Sequence, residues 1–490
     1  MSTNNTKQAF WVALGSLFSF GFAIVSSMIL SRYFDKGDYG TYKQVMYVYN
    51  TLLTVFTLGL PKAFSYYLPR VDISQAKDLI KKITRLFFIL GAVFSIILYV
   101  FAQPIADFMN NQDLKDAIRV FSPVPLMMLP TMGLEGILST FRKNKFMTLY
   151  TIVTRLFMLV CVTTPIIFFN GGYIEAIWGF VISSFISFAF ALYLKYMPVR
   201  NSGNEKCEIT YNQIFKFSLP LLYASLWGIL IASADQFFIS RYFGNEVFAE
   251  FSNGSMELPF VGMIVGACAT VLSPIISKIS SSNFDPQKEL YSLWISVFEK
   301  SAKLIYPLVI YCIVFADVVM VMLYGEQYAN SAIYFRIKSI YSFFAVIIYA
   351  PIVINIGKVK QYSRVHMFTA IFVIILEYLS IITINSPYAI SVISLSMQLF
   401  KTISLMYIVA RYFNLSILKL FPAKIIFKII FPSLLLLLIE HYILVEVFNL
   451  GLLITLILSF IIYTLLYLGI SKYFKIDYAS IIKPLLRNSK

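Results

Sequence analysis

Charged side chains, histidine and cysteine are all scarce in this 490-residue chain. Only 13% of its residues are charged, about half of the share that is usual in soluble domains. The two histidines and four cysteines form no CxxC pair and no Cys/His cluster, so the sequence indicates neither a metal site nor a disulfide framework. The chain also lacks a GxxxxGKS or GxxxxGKT motif, which argues against ATP hydrolysis by a P-loop. We therefore predict no cofactor and no metal.

The chain is instead rich in long apolar segments. Hydrophobic residues make up 59% of it, and apolar stretches of about 20 residues, each long enough to cross a bilayer core, recur from end to end. This pattern predicts an all-α polytopic membrane protein with about 14 transmembrane helices. The predicted spans lie at 9–30, 40–60, 86–108, 119–140, 147–169, 174–196, 213–238, 247–275, 301–323, 332–356, 363–384, 388–410, 426–447 and 450–470.

The basic residues lie mainly on one side of these spans. The formal net charge is +16, from 40 Lys and Arg against 24 Asp and Glu. If the spans alternate in direction, most of the Lys and Arg fall in segments on the side of the N-terminus. Such asymmetry is the positive-inside rule, so we expect both termini in the cytoplasm and no nucleic-acid partner.

A repeated four-letter word divides the spans into two blocks. The word SRYF ends the first span at 31–34 and the seventh at 240–243, and a polar linker at 199–213 separates spans six and seven. We predict a six-helix lobe at 1–200, a second at 201–413, and a C-terminal helix pair with a basic tail at 414–490. Two blocks with an even number of spans share one orientation, as in transporters whose parallel repeats are related by a pseudo-two-fold axis along the membrane normal.

Polar residues inside the spans are the candidate site residues, because a polar group facing lipid has no partner. In span two, polar and aromatic residues recur at helical spacing, and span eight repeats the pattern more briefly. A purely structural alternative is that intramembrane charges pair with one another and hold helices together. The residues in question are Tyr39, Lys43, Tyr47, Asn50 and Thr54 in span two, Glu250, Asn253 and Glu257 in span eight, Arg32, Asp235 and Arg241 near the repeated word, and Glu135 and Arg155 in spans four and five.

Two segments carry a resemblance to a known family. The stretch ADQFFISRYFGNEVFAEFS at 234–252 and the stretch LSRYFDKGDYGTYKQ at 30–44 resemble the polysaccharide exporters of the multidrug/oligosaccharidyl-lipid/polysaccharide (MOP) superfamily. Within it, the chain is most similar to the Wzx-type O-antigen flippases, which have a MATE-like fold. Asp235, Arg241 and Gly244 match the family's seventh-span motif, whereas Ala249 stands where the first block has Gly40.

The resemblance implies a transporter of the bacterial inner membrane. The expected activity is movement of an undecaprenyl-pyrophosphate-linked oligosaccharide, such as an O-antigen or other surface polysaccharide unit, to the periplasmic leaflet by alternating access. Expected partners are this lipid-linked glycan, membrane lipids, H+ or Na+, and other polysaccharide assembly proteins. The predicted substrate-binding residues are Arg32, Lys43, Tyr47, Asn50, Arg155, Arg241 and Asn253, and the predicted ion-coupling residues are Asp235 and Glu257.

Three other readings remain open from the sequence. A peptidoglycan lipid-precursor flippase has the same number of spans, and a multidrug or cation antiporter has the same fold with fewer spans. A membrane polysaccharide polymerase would differ in class, but such enzymes usually carry a large outer loop with carboxylates, and the predicted outer connections here are short. We therefore predict a transporter and not an enzyme.

Overall fold

The computed structural model describes residues 2–203, 205–280, 286–448, 450–474 and 476–478. Every regular element within these ranges is a helix, and none of the described residues lies in a β-strand. An α-helix satisfies its backbone hydrogen bonds within one segment, which is the requirement that a hydrocarbon environment imposes. The predicted all-α fold class is confirmed.

Backbone contacts divide the chain into two compact units, Met1–Ala249 and Glu250–Lys490. The helices that begin in the first unit are α1 (Ser2–Tyr33), α2 (Lys36–Phe56), α3 (Pro61–Tyr67), α4 (Ile73–Val100), α5 (Ala102–Met109), α6 (Leu114–Phe121), α7 (Val124–Met128), α8 (Leu134–Thr140), α9 (Asn144–Phe169), α10 (Tyr173–Tyr196) and α11 (Tyr211–Gly254). Those of the second are α12 (Pro259–Ser280), α13 (Pro286–Val314), α14 (Ala316–Tyr324), α15 (Ser331–Ala345), α16 (Ala350–Asn355), α17 (Val359–Thr383), α18 (Pro387–Tyr412), α19 (Ile417–Leu420), α20 (Ala423–His441) and α21 (Leu452–Tyr473).

Nine stretches of the described residues are long and apolar enough to cross a membrane, and α13 with α14 forms a bent pair that would make a tenth. Other predicted spans fall on interrupted helices: the second on α2 and α3, the eighth on the end of α11 and α12, and the tenth on α15 and α16. At the first interruption, Gly59 has a φ of +71° and Pro61 begins α3. Neither residue suits the interior of a continuous helix.

The third and ninth spans begin earlier than the sequence predicts. Helix α4 begins at Ile73 and not at 86, and α13 begins at Pro286 and not at 301. The first half of α4 carries charges such as Lys81, yet the same turns bury Leu79 and Ile80 completely. Apolar length alone therefore misses this amphipathic half, because its mean composition looks like that of a loop.

Both of these helices end in the same bend. A Val-Phe-Ala triplet lies at each bend, at 100–102 and at 314–316, whereas a third copy at 247–249 lies within α11. The phenylalanine has φ −92° and ψ 14° in the copy at the first bend and φ −91° and ψ 23° in the copy at the second. The copy at the second bend separates α13 from α14, which are bent by 72°. Later in each unit, Asn170 and Asn385 take left-handed φ values of 50° and 49° after α9 and α17. The recurring geometry supports an internal duplication.

Helix α2 meets α11 at a glycine. A Cβ atom at Gly40 would lie 2.0 Å from the backbone oxygen of Asn245, much closer than side-chain carbons approach other atoms. Immediately before Asn245, Gly244 has φ 84° and ψ 174° and interrupts the helical path of α11. Glycine at position 40 thus allows two backbones to touch, as small residues do between membrane helices.

We expect Gly40→Ala to destabilise the protein, because the added methyl group would force the α2 and α11 backbones apart. Overpacking of this kind costs about 1–3 kcal/mol. Gly21→Ala in α1 is the matched control, since no atom lies within 4 Å of a Cβ at that position. Thermal unfolding of the purified variants in detergent measures both effects. Identical unfolding temperatures for the two variants would contradict the close contact.

Candidate functional site

The predicted polar stripe of α2 contacts two other helices. Lys43 donates from Nζ to the Ser27 Oγ of α1 at 3.1 Å and lies 5.1 Å from the centre of the Tyr39 ring. The Tyr47 hydroxyl donates to the Ser233 carbonyl of α11 at 3.1 Å. Asn50, one turn further along, is exposed. The stripe therefore serves partly as a helix–helix contact.

A buried hydrogen-bond network beside this stripe was not predicted from the sequence. The Gln44 amide donates to Ser240 Oγ at 2.7 Å, and the Asn111 amide donates to Gln44 Oε1 at 2.6 Å and to Thr41 Oγ1 at 2.9 Å. The Asn245 amide also donates to Thr41 Oγ1, at 3.2 Å. The available signal was Ser240 itself, which belongs to the repeated word SRYF. This network fastens α2 and the loop before α6 to α11.

Arg241 lies at the edge of the same region. Its guanidinium donates to the backbone carbonyl of Asp107 in α5. The Asp107 carboxylate accepts from the Gln112 amide at 2.9 Å and from the Gln103 amide at 2.8 Å. Arg241 thus bonds a neutral oxygen, and its positive charge is not neutralised by that contact.

The first unit encloses a cavity of about 390 Å³ that brings Arg155 and Glu135 to one space. Its wall is rich in hydroxyl and thioether groups. The cavity is lined by Gly15, Ser16, Ser19, Met128, Thr131, Met132, Gly133, Leu134, Glu135, Met147, Thr148, Tyr150, Thr151, Thr154, Arg155, Met158 and Ser187. These residues come from α1, α7 to α10 and their connections. The volume lies within the range of small-ligand pockets, about 300–1,000 Å³.

The charges of this cavity are not paired with each other. Arg155 is exposed, its nearest recorded partner is the Met158 sulfur at 3.8 Å, and it forms no ion pair with any residue that the structure describes. Glu135 is also exposed. A guanidinium that keeps its donors available can bind a phosphate or carboxylate through two parallel hydrogen bonds. Most of the surrounding Ser and Thr hydroxyls donate to backbone carbonyls, as Thr151 does to Met147, and their oxygens can still accept from sugar hydroxyls.

The remaining predicted site residues lie elsewhere. Arg32 is exposed in the last turn of α1, and Asp235 is 2% exposed in α11, where its carboxylate accepts from the Gln236 backbone N–H at 2.8 Å. In the second unit, Asn253 is buried at the end of α11, and Glu257 is exposed in the break before α12. Of the nine predicted residues, the described cavity brings only Arg155 to its wall. Within the described ranges, no three His, Cys, Asp or Glu side chains are grouped as a metal site.

We expect Asn111→Ala to lower the unfolding temperature, because it leaves the buried Gln44 Oε1 without its donor. An unsatisfied buried polar group costs about 1–3 kcal/mol. Gln112→Ala, one residue later and exposed, is the control and should shift the unfolding temperature less. Thermal unfolding in detergent gives both values, and a larger loss for Gln112→Ala would show that the buried network carries little of the stability.

Comparison with known proteins identifies the family. The profile of the family described as polysaccharide biosynthesis protein matches residues 29–333. No curated protein sequence matches the chain at a significant level.

Solved structures share the fold. A lipid II flippase MurJ in an inward closed conformation has a TM-score of 0.73 at 16% identity, covering 96% of this chain and 99% of that one. A MATE family multidrug resistance transporter of the MOP superfamily in an inward-facing conformation has a TM-score of 0.62 at 14% identity, covering 81% and 95%. A MOP superfamily transporter from Pyrococcus furiosus has a TM-score of 0.59 at 12% identity, covering 84% and 96%.

The MurJ match includes the C-terminal pair, which lies outside the family profile, and it supports the predicted plan of about 14 helices. The fold is thus that of MOP transporters and flippases, as the sequence resemblance implied. Because the profile matches more than half of the residues, the chain belongs to the polysaccharide biosynthesis protein family.

Proposed function

We propose that this protein is a flippase that moves an undecaprenyl-pyrophosphate-linked oligosaccharide from the cytoplasmic to the periplasmic leaflet of a bacterial inner membrane by alternating access. Family membership supports a role in polysaccharide biosynthesis, and the fold supports a flippase or transporter over an enzyme. The positive-inside asymmetry of the sequence supports cytoplasmic termini.

The observation that carries the proposal is the cavity that holds Arg155. Its substrate would present a pyrophosphate and a sugar, two groups that cannot cross hydrocarbon without a polar environment. Arg155 offers paired N–H donors for phosphate oxygens, and the Ser and Thr hydroxyls of the wall offer partners for the sugar. One wall of the cavity thus provides both kinds of contact. The polyprenyl chain needs no polar contact and would stay in the lipid.

For the other predicted residues, the proposal keeps the roles that the sequence suggests. Arg32, Lys43 and Arg241 would add positive charge along the substrate's route, and Tyr47, Asn50 and Asn253 would offer hydrogen bonds. Asp235 and Glu257 would bind the coupling ion, H+ or Na+. Moving one elementary charge through 100 mV releases about 2.3 kcal/mol, enough to bias a two-state transporter.

A peptidoglycan lipid precursor is the second candidate substrate, because the lipid II flippase matches this chain over 96% of its length. Both candidates present a polyprenyl pyrophosphate, so Arg155 would serve either one. The two differ in the glycan, and only an assay with both lipids separates them. The O-antigen type of substrate is favoured here by the polysaccharide biosynthesis family match.

We expect Arg155→Gln to reduce transport about 10- to 100-fold, because a charge-assisted hydrogen bond contributes about 1.5–3 kcal/mol. Arg155→Lys should retain part of the activity, since it keeps the charge and loses the paired donors. The assay is translocation of a fluorescent polyprenyl-pyrophosphate oligosaccharide in proteoliposomes, with lipid II in parallel. Arg411→Gln is the control, because Arg411 is exposed in α18 of the second unit. Full activity of Arg155→Gln with both lipids would refute the role of the cavity.

Substitution of Glu135 should favour substrate binding, whereas substitution of Arg155 should weaken it. Because its carboxylate lines the cavity that would receive an anionic headgroup, Glu135→Gln removes a repulsive charge. We expect the apparent affinity for the pyrophosphate substrate to increase several-fold, with the largest effect at low ionic strength. A decrease in affinity at low salt would instead indicate that the carboxylate binds the substrate or an accompanying cation.

A further inference from the structure

A carboxylate, a guanidinium and an imidazole meet where the C-terminal helix pair contacts the bent helix of the second unit. Asp317, in the first turn of α14, lies 3.1 Å from His441 Nε2 of α20 and 3.4 Å from an Arg336 guanidinium nitrogen of α15. The Arg336 Nε also donates to the Ile313 carbonyl beside the break between α13 and α14, at 3.2 Å. The Phe315 ring, at the bend itself, lies 5.1 Å from the His441 ring. One aspartate therefore joins three helices at the bend.

The corresponding bend of the first unit lacks this charge. In the Val-Phe-Ala triplets at the two bends, Phe101-Ala102 is followed by Gln103, whereas Phe315-Ala316 is followed by Asp317. The Gln103 amide donates to Asp107 and Gln112, both within the first unit. The aspartate thus occurs in the copy against which an additional helix, α20, packs. This difference between two otherwise similar bends associates the charge with docking of the C-terminal pair.

Glu440, the neighbour of His441, is buried in α20. The residue is 6% exposed, and neither carboxylate oxygen has a hydrogen-bond partner among the described residues. It lies within electrostatic range of the tyrosines at 311 and 463, which belong to an apolar cluster of α13, α14, α20 and α21. An unpaired carboxylate in such a place costs several kcal/mol, and the neutral acid would avoid that cost.

We propose that Glu440 and His441 form a proton-binding site that controls how firmly the C-terminal helix pair is docked on the second unit. Protonated His441 makes an ion pair with Asp317, and protonated Glu440 fits the apolar cluster without charge. Loss of either proton weakens the same contact, by neutralising the imidazole or by leaving a buried anion. Docking is therefore tightest at acidic pH and loosens as the pH rises. The site is separate from Asp235 and Glu257.

The groups that face this site from the neighbouring helices do not reverse the expected direction of the pH dependence. Among the described residues, the charged group in contact with His441 is Asp317, and Asp317 is itself paired with Arg336, which also bonds a backbone carbonyl. The other titratable groups of the surrounding cluster are Tyr311, Cys312, Tyr463, Tyr467 and Tyr478. The ordinary titration of a histidine side chain lies between pH 5 and 8, so the test compares pH 5.5 with pH 8.

The chain offers a matched control, because it has only two histidines. His366 lies in α17, where its Nδ1 is 2.9 Å from the Tyr362 carbonyl and its ring centre lies 4.2 Å from that of Tyr362, with the two rings tilted by 35°. We expect His441→Gln to lower the unfolding temperature of the purified protein by about 2–4 °C at pH 5.5 and to have little effect at pH 8. His366→Gln should change the unfolding temperature by the same amount at both pH values.

Glu440→Gln tests the carboxyl group of the site, and it should raise the unfolding temperature, whereas His441→Gln should lower it. The amide has the shape of the neutral acid and cannot ionise, so the variant should match the natural protein at pH 5.5 and exceed its unfolding temperature at pH 8. A second measurement reports docking directly: spin labels at positions 329 and 446, both exposed, in a cysteine-free background should give a broader distance distribution at pH 8 than at pH 5.5.

The proposal is overturned if His441→Gln and His366→Gln have parallel pH profiles, or if Glu440→Gln is destabilised equally at both pH values. It is equally overturned if the label distances in the natural background do not respond to pH. These measurements need no substrate, so their outcome is independent of whether the protein transports a lipid-linked glycan.

Discussion

A polar group inside a bilayer cannot form hydrogen bonds to bulk water, so its role depends on the partner that it bonds. Backbone groups are satisfied within helices, and this requirement alone produces the all-α architecture. Side chains have two options: a partner on a neighbouring helix or a wet cavity. Gln44 and Asn111 take the first option and hold α2, the loop before α6 and α11 together. Arg155 takes the second and remains open to a ligand.

This distinction separates structural polarity from functional polarity in the first unit. The amide network is buried and its main donors and acceptors are matched, so adding a ligand there would require bonds to be broken. The cavity beside α9 has the reverse properties, because its arginine and glutamate are exposed and its wall is lined by hydroxyls. Polar content is similar in both places. Exposure and pairing, not residue type, make the second place the candidate site.

The two units contain the same kind of helix bend but differ in the polar residue that follows it. Each has a helix that stops at a Val-Phe-Ala triplet and continues at a bend with nearly identical backbone angles. In the first unit the bend is followed by Gln103, which bonds neighbouring neutral and acidic groups, and in the second by Asp317, which joins α14 to α15 and α20. The bend that contacts the C-terminal helices thus carries a charged contact that the other bend lacks.

The sequence by itself determined the fold class and the approximate positions of most spans, because apolar length is a local property of the chain. It placed the starts of α4 and α13 too late, because their charged first halves are amphipathic helices whose apolar face shows only when it is packed. Tertiary structure alone decided which polar residues meet. Asn111 and Gln44, or Asp317 and His441, are far apart in sequence, and no periodicity within one helix states which face of another helix it will contact.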